Sequence, residues 1–320
     1  MPLRGTRTGR RRATLALAAA AQIAVSRGVH AGHQRTVTAQ WGAAPQRTRS
    51  VSSMVRSRYV IAPSGELSLG QARTAIVAWL HTRAAGGTIT LRVGDLDPRG
   101  FSEEAWFRQM GDLAWLGLTW DGAVVRQTER LDAYALALQQ LREAGLTYPC
   151  FCLATTRCAC RGRAPDGALE AAGVDKPHAI RLAGTPGSEG FDDIVCGRVE
   201  VAAAARGDVM LATADGTISD LLANALDDAL PATTHAIRTG DLLVDAACQQ
   251  LITRLLGLTP PTFAHLPALP GDDSMTVREQ RDRGLHPEAV VGALAGALGI
   301  GSGAPATLDE LIPHAAGLTG

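Results

Sequence analysis

Apolar and polar positions along the chain form blocks that predict strands and helices in turn. From Tyr59 the run YVIAP has the pattern of a short buried strand, and it ends at Pro63 in a Gly-bearing turn. Apolar residues then recur at helical spacing from Leu69, in LGQARTAIVAWLHTRAA. A strand, a tight turn and a helix start form the geometry that binds nucleotide phosphates, because a helix N-terminus offers free N–H groups.

The same alternation continues to about residue 148. A Gly-Gly turn leads into the β-rich run TITLRV, which ends near Asp95 and Asp97. Two helices follow, the first opened by Ser102 with acidic residues after it and the second closed by Gly145. Strands that alternate with helices of this length indicate parallel βαβ units. We therefore predict an α/β, Rossmann-like domain with its ligands at the carboxyl ends of the strands.

Changes in composition divide the chain further, because a Cys-, Gly- and Pro-rich stretch interrupts the α/β pattern before it resumes. The predicted segments are an N-terminal extension (1–53), the first half of the α/β domain (54–148), an inserted Cys-cluster subdomain (149–190), the second half of the α/β domain (191–270), and a loop with a short helical region (271–320). The extension is aperiodic and Arg/Ala-rich, so we expect it to be disordered or translated from an upstream start codon. A targeting segment is the alternative.

Overall composition favours a folded protein, with 46% hydrophobic and 19% charged residues. Lys+Arg and Asp+Glu both number 31, so net charge does not indicate a nucleic-acid partner, although a local basic face stays open. Since no long uncharged apolar run is present, we expect no membrane association. The cysteines are not spread as in a disulfide framework, so we expect a reducing, cytoplasmic location.

The cysteines are concentrated in one short segment. Four of the six lie in CFCLATTRCAC, as Cys150, Cys152, Cys158 and Cys160. Four thiolates this close can surround one Zn²⁺ tetrahedrally. We predict a structural zinc that holds the inserted subdomain together. Reduced thiols or a disulfide are the alternative.

Seven sequence blocks, in this order, resemble the class I glutamyl-tRNA synthetases. They are APSGEL, LRVGDLDP, WLGLTWDG, QTERLDAYALALQQLREAGLTYPCFC, LANALDD, THAIRTGDLL and HLPALP. The resemblance runs from about Tyr59 to Gly299. Little sequence follows it, and no anticodon-binding region is recognisable there, which favours a resemblance to the short glutamyl-queuosine tRNA(Asp) synthetases.

This resemblance implies ATP-dependent activation of glutamate as an adenylate, and its transfer to the queuosine base of tRNA(Asp). The implied substrates are ATP with Mg²⁺, glutamate and tRNA(Asp), and we expect a monomer. It also supports the zinc, which the family binds with three Cys and one Tyr. Cys150, Cys152 and Cys160 match the three cysteines, and because no Tyr lies between them Cys158 is the candidate fourth ligand.

The first family signature places a His at the start of the phosphate-binding helix. Here Ser68 takes that place, while Gly70, which lets backbone approach the nucleotide, is kept. Ser can donate one hydrogen bond but carries no positive charge. Alternatively, Ser68 serves only to cap the helix and Gly70 only to pack it closely. The resemblance assigns ATP binding to Pro63, Leu67, Ser68, Gly70, Met275 and Val277.

The second signature is a loop with a lysine that neutralises phosphate charge, and here it reads GDDSMTVREQ. The family's lysine places fall at about Ser274 and Val277, so neither holds a lysine. Arg278 is the only basic residue in the loop. We therefore predict Ser68, Gly70 and Arg278 as the residues at the transferring phosphates.

The resemblance assigns the glutamate pocket to Ala62, Ser64, Asp220 and Arg238. Arg238 could pair with a carboxylate through two N–H groups, or else form a buried salt bridge to Asp241 or Asp228. Three pocket positions differ from the family, whose Arg, Glu and Tyr fall at Val60, Gly94 and Asp220. We expect His235 and His265 to be packed, hydrogen-bonded residues rather than ligands.

Three functional interpretations follow from these substitutions. The first is a glutamyl-queuosine tRNA(Asp) synthetase-like enzyme, with an activity that the changes reduce or abolish. The second is a non-catalytic relative that binds tRNA or a protein partner. The third is a ligase that adenylates another carboxylate, because Asp220 near Arg238 could select an amine-bearing substrate.

Overall fold

The computed structural model describes residues 54–152, 160, 176–184, 187–202, 207–229, 233–269 and 275–319. The predicted extension at 1–53, the candidate ligand Cys158 and Ser274 of the second signature lie outside the described residues. Within the described ranges, none of the helices combines the length and the apolarity needed to cross a membrane.

The first half of the fold consists of parallel strands joined by helices. Its elements are β1 (Arg56–Ile61), α1 (Leu69–Ala84), β2 (Thr88–Val93), α2 (Glu103–Trp115), β3 (Val125–Arg126), the 3₁₀ turn Gln127–Arg130 and α3 (Leu131–Glu143). β1 pairs in parallel with β2, and β2 in parallel with β3. This part of the chain has the βαβ organisation that its alternating pattern predicts.

The second half adds strands on the other side of β1. Its elements are β4 (Thr147–Cys150), β5 (Ala179–Leu182), β6 (Ser188–Asp193), β7 (Gly197–Ala202), β8 (Met210–Ala212), α4 (Asp220–Ala229), β9 (His235–Thr239), the 3₁₀ turn Gly240–Leu242, α5 (Leu243–Leu255), β10 (Thr262–Leu266), α6 (Val277–Asp282), α7 (Pro287–Gly296), α8 (Leu308–Leu311) and the 3₁₀ segment Ile312–Thr319.

β10 pairs in parallel with both β9 and β6, and β6 forms an antiparallel hairpin with β7. β9 lies beside β1, where the N–H of Thr234 donates to the carbonyl of Arg56 at 2.8 Å. The spatial order is therefore β3-β2-β1-β9-β10-β6. The five strands from β3 to β10 follow the 3-2-1-4-5 order of a doubly wound nucleotide-binding fold, with β6 added beyond β10, and the predicted α/β class is confirmed.

α1 lies at the centre of the main core. It contacts β1, β2 and β9 on one side, and α7, α8 and the C-terminal 3₁₀ segment on another. Most of its residues are buried, which explains why its sequence is apolar on more than one face. The predicted C-terminal helical region thus forms a layer over this helix.

A second, antiparallel sheet interrupts the main one, in the order β4-β5-β8. The carboxylate of Asp208 joins it together by accepting from the hydroxyl of Tyr148 at 2.7 Å and from the N–H of Gly184 at 2.9 Å. The predicted insertion at 149–190 supplies β5, whereas β8 comes from beyond it. The last strand of this sheet, β8, leads directly to the start of α4.

A buried ion cluster joins the two halves of the fold. Asp228, at the end of α4, accepts from Arg58 of β1 at 2.8 and 2.9 Å, from Arg92 of β2 at 2.9 Å and from Arg238 of β9 at 2.6 Å. None of these side chains is more than 6% exposed. Burial alone would raise the pKa of Asp228, but the three guanidinium groups outweigh it and hold that pKa far below its usual range.

The neighbouring Asp227 ties α4 to the segment before and within α3. Its carboxylate accepts from Gln127 at 3.0 Å, from Arg130 at 2.7 Å and from the hydroxyl of Tyr134 at 2.8 Å. The LANALDD block therefore ends in two carboxylates that together hold three strands, a 3₁₀ turn and a helix.

Replacing Asp228 by asparagine should lower the free energy of unfolding by about 3–5 kcal/mol, because three buried guanidinium groups lose their shared anion. The measurement is urea unfolding at neutral pH, with the exposed Asp132→Asn as the control of equal charge change. A loss below about 1 kcal/mol, the size of a surface ion pair, would contradict this role.

The stability difference between wild type and Asp228→Asn should depend on pH. Because the pKa of Asp228 is lowered in the folded state, its stabilisation is present above the unfolded-state pKa of about 3.9 and is lost as the pH falls. The gap between wild type and Asp228→Asn should thus narrow by about 1 kcal/mol from pH 6 to pH 3.

Candidate active site

A cavity of about 410 Å³ lies along β1 and the carboxyl end of β9, bounded by α1 and by the starts of α4 and α5. Its polar lining residues are Arg58, Gln71, Thr74, Arg92, Asp220, Asn224, Arg238, Thr239, Asp245 and Gln249. Of the predicted glutamate-pocket residues, Ala62, Asp220 and Arg238 line this cavity, as does the predicted ATP-binding residue Leu67. Ligands of doubly wound folds bind at such an edge of the sheet.

Arg238 is the predicted carboxylate ligand, and only part of its guanidinium is engaged. Its Nη2 donates to Asp228, and the group lies 4.7 Å from the centre of the Phe263 ring. The predicted alternative of a buried salt bridge is therefore confirmed, with Asp228 rather than Asp241 as the partner. Burial lowers the pKa of Arg238 to about 10, so the group is charged at neutral pH.

The remaining predicted glutamate ligand, Ser64, lies in the turn after β1. It is exposed, and its N–H donates to the carbonyl of Ala62 at 2.8 Å. Pro63 is buried and accepts from the N–H of Ser102 at 2.9 Å. Neither residue lines the described cavity, so their contacts with ligands stay predictions.

Ser68 caps α1, as one interpretation of its position predicts. Its hydroxyl oxygen accepts from the N–H of Gln71 at 3.2 Å, and its own N–H donates to the side chain of Gln71 at 3.0 Å. Gly70 lies in the first turn, where its carbonyl accepts from the hydroxyl of Thr74 at 2.9 Å. The capping leaves the O–H of Ser68 as a donor at the helix N-terminus.

The chain after the second signature loop returns to the start of α1. Leu69 donates its N–H to the carbonyl of Met275, and Val277 donates to the carbonyl of Leu67, both at 2.9 Å. Ser68 and Thr276 form an antiparallel bridge between these contacts. The structure therefore brings the two signatures together, as the predicted ATP site requires.

The side chain of Val277 is completely buried in the main core, whereas those of Thr276 and Arg278 are partly exposed. A residue in that position cannot reach a phosphate with its side chain, and a lysine there would bury a charge. The basic residue at this site is its neighbour Arg278, whose side chain is 38% exposed.

Glu66 holds Arg278 beside the first signature. Its carboxylate is 3.0 Å from Nε of Arg278 and 2.9 Å from Nε of Arg108 on α2. These three side chains are each about one-third exposed, so the network faces solvent near the start of α1. Arg278 is thus close to Ser68, the position that carries no charge.

Two predicted pocket differences have clear structural settings. Val60 faces the cavity and is 39% exposed, while the buried Arg58 lies two residues earlier on the same face of β1. At Gly94 an added Cβ would meet nothing closer than 3.6 Å, so the absent side chain is not imposed by crowding. The adjacent Asp95 is occupied, since Arg126 and Thr128 donate to it.

Three cysteines converge at the end of β4. The Sγ atoms of Cys150, Cys152 and Cys160 lie within 4.8 Å of one another, and those of Cys152 and Cys160 are 3.7 Å apart. A disulfide requires about 2.05 Å, so these thiols are not bonded to each other. Arg181 donates to the sulfur of Cys150 at 3.3 Å.

His265 and His235 are packed residues, as expected. His265 is fully buried and shares a 2.6 Å hydrogen bond with Asp193. The ring of His235 lies 4.9 Å from that of His81 and bonds to the hydroxyl of Thr234.

Sequence reasoning did not identify several cavity residues: Arg58, Arg92, Asn224, Asp245 and Gln249. A local signal existed for two of them, because Asp245 and Gln249 are four residues apart on a helix and share a face. Arg58 and Arg92 looked like ordinary strand residues, since only their pairing with Asp228 places them at the cavity.

The family model described as tRNA synthetases class I (E and Q), catalytic domain, matches residues 54–283. The chain belongs to this family. A class I tRNA synthetase catalytic domain accounts for both the parallel sheet and the two converging signatures.

Relatives in the family include glutamyl-Q tRNA(Asp) synthetases and glutamate–tRNA ligases. A glutamyl-Q tRNA(Asp) synthetase from Symbiobacterium thermophilum is 36% identical, over 81% of this chain and 92% of that protein. A second one, from Nocardia farcinica, is 35% identical over 76% of this chain and 84% of that protein. The glutamate–tRNA ligase of Aquifex aeolicus is 34% identical over 74% of this chain, but the match spans only 56% of that protein.

Among solved structures, a glutamate tRNA ligase from Elizabethkingia meningosepticum has the same fold. It superposes with a TM-score of 0.69 at 22% identity, covering 81% of this chain and 64% of that one.

Replacing Ser68 by alanine should lower the free energy of unfolding by about 1 kcal/mol, because the N–H of Gln71 loses its acceptor. Ser68→Asn, which keeps a capping acceptor, should stay close to wild type. Urea unfolding checks both, with the exposed Ser64→Ala as the matched control. Equal stability of Ser68→Ala and Ser64→Ala would contradict a capping role.

Proposed function

We propose that the protein is a glutamyl-queuosine tRNA(Asp) synthetase, which activates glutamate with ATP and transfers it to the queuosine base of tRNA(Asp). Two relatives named for that activity support this, since similarity covers 92% and 84% of their length. Similarity to the glutamate–tRNA ligase of Aquifex aeolicus spans a smaller share of that protein.

The observation that carries the proposal is the cavity beside the converged signatures. It places the unengaged N–H groups of Arg238 at the edge of a nucleotide-binding sheet, next to the N-terminus of α1. A carboxylate held there can attack the α-phosphorus of ATP bound at the helix start. The new oxygen–phosphorus bond forms as the bond to pyrophosphate breaks, which gives the mixed anhydride.

A hydroxyl of the queuosine base then attacks the carbonyl carbon of that anhydride, and AMP leaves. Both steps depend mainly on holding the reacting atoms in line and on stabilising phosphate charge. Mg²⁺ accompanies ATP in this reaction and neutralises part of the triphosphate charge. The protein itself contributes Arg238, which binds the carboxylate, the hydrogen-bond donors at the start of α1, and one partly exposed arginine beside them.

We assign that arginine as Arg278. Glu66 holds it near Ser68, whose hydroxyl is one donor at the helix N-terminus, and Gly70 would leave space for the nucleotide. Because Ser68 is uncharged and Val277 is buried, Arg278 provides the positive charge that the two signatures otherwise lack. Activation by this protein should accordingly be slow.

Exchange of labelled pyrophosphate into ATP tests this assignment. Glutamate should support a weak exchange that Arg278→Ala lowers by about 10² or more, since loss of a charge-stabilising group costs on the order of 2.7–4 kcal/mol in the transition state. Arg278→Lys should retain part of the rate. The matched control is Arg283→Ala, which removes an exposed arginine at the end of the same helix.

The possible outcomes separate the functional interpretations. Exchange with another amino acid but not with glutamate would contradict the substrate. No pyrophosphate exchange with any amino acid would indicate a non-catalytic relative. Exchange unaffected by Arg278→Ala would remove Arg278 from the phosphate site and leave the overall function standing.

We also propose that Cys150, Cys152 and Cys160 bind a structural Zn²⁺, with Cys158 as the fourth ligand. Thiolates about 2.3 Å from one tetrahedral ion lie about 3.8 Å apart, and the 3.7 Å between Cys152 and Cys160 fits that spacing. Such an ion would fasten the end of β4 to the chain that follows it, in a part of the fold with a small core of its own.

Purified protein should contain about one zinc per chain by elemental analysis, and Cys150→Ser with Cys152→Ser should lose it. Cys196→Ser is the control, because this exposed cysteine lies outside the cluster and should leave the zinc in place. A protein that contains no zinc and has four freely titrating thiols in the segment 150–160 would rule out this site.

A further inference from the structure

We propose that the cavity binds the ammonium group of its amino-acid substrate on the side formed by α4 and α5, through Asp220, Asp245 and Gln249. We call these three residues the acceptor wall. The inference rests on the proposed function, because it assumes that an amino acid occupies this cavity.

Gln249 provides the first indication that a ligand belongs here. It lines the cavity and is only 4% exposed, yet its carbonyl Oε1 has no hydrogen-bond partner among the described residues. A buried acceptor without a partner is costly, and most are satisfied by protein, water or a ligand. An occupant that donates an N–H would satisfy this one.

Two carboxylates line the same cavity as that carbonyl. Asp245 lies one helical turn before Gln249 on α5, and Asp220 lies at the exposed start of α4; both line the cavity. Neither forms a hydrogen bond or an ion pair with a described residue. Burial raises the pKa of Asp245, Arg238 lowers it, and Asp241 and Asp220 raise it further; the pKa stays above its usual value, so a cation beside this carboxylate would be stabilised.

Donors line another part of the same cavity. Arg238 has N–H groups beyond the one given to Asp228, and the buried Nε of Arg92 has no hydrogen-bond partner among the described residues. Donors and acceptors in one cavity match an amino acid, whose carboxylate accepts hydrogen bonds and whose ammonium donates them. A dicarboxylate without an amine would instead meet two carboxylates.

The carboxyl end of β2 offers no alternative anion. Gly94 has no side chain, and Asp95 already accepts from Arg126 and Thr128. The carboxylate of Asp228 is already paired with three guanidinium groups. Among the described cavity residues, the two carboxylates are Asp220 and Asp245, so recognition of an ammonium falls to the acceptor wall.

Calorimetric binding of L-glutamate and of glutarate, which is glutamate without its amine, tests the acceptor wall directly. Wild type should bind L-glutamate at least 10-fold more tightly than glutarate. Asp245→Asn and Gln249→Met should each remove most of that preference by weakening L-glutamate, with glutarate unchanged or tighter. Asp220→Asn should have a smaller effect, because that residue is exposed.

Asp132→Asn is the charge-matched control and should keep the full preference. Thermal unfolding establishes that each variant is folded. If Gln249→Met is not folded, the result is decided by Asp245→Asn and by the double variant that carries both Asp220→Asn and Asp245→Asn. Equal weakening of both ligands would show a merely structural role and overturn the proposal.

The failures of the two proposals are distinguishable. If wild type binds L-glutamate but the variants keep its preference over glutarate, the acceptor wall is wrong and the proposed function stands. If wild type binds no L-glutamate, both are wrong.

Discussion

The shared carboxylate of Asp228 is the interaction on which the rest of the structure depends. It accepts from arginines on β1, β2 and β9, which belong to opposite halves of the chain, and it does so where water is excluded. Buried charges are tolerated only when they are paired and hydrogen-bonded, so none of these four groups can move independently. The cluster therefore fixes the end of α4 against the sheet, and its three arginines line part of the cavity.

That arrangement also determines which groups are available to a substrate. Arg58 gives two N–H groups to Asp228, whereas Arg238 gives one and presents the rest to the cavity. Asp228 lies in the last turn of α4 and Asp220 is the first residue of that helix, so the cluster orients one side of the acceptor wall. Binding geometry and stability thus share residues, which is common at sites built on rigid elements.

A second constraint organises the phosphate side. The segment from Met275 to Val277 is pinned to the start of α1 by two backbone hydrogen bonds, and Val277 is packed into the core. Glu66 then holds Arg278 at the surface beside it. Ser68 and Val277 carry no charge, yet the backbone hydrogen bonds bring the two signatures together.

The sequence by itself determined the fold class, because its apolar periods predict alternating strands and helices whatever their neighbours do. Local patterns were also enough for the cap at Ser68 and the cysteine cluster, since both depend on residues close together in the chain. Only the tertiary structure decided that Val277 is buried, that Arg238 pairs with Asp228 rather than Asp241, and that Arg58, Asp245 and Gln249 meet in one cavity. Such facts depend on contacts between residues far apart in the chain, as Arg58 and Asp228 are at 170 positions, and hydrophobic periodicity carries no information about which distant side chains will meet.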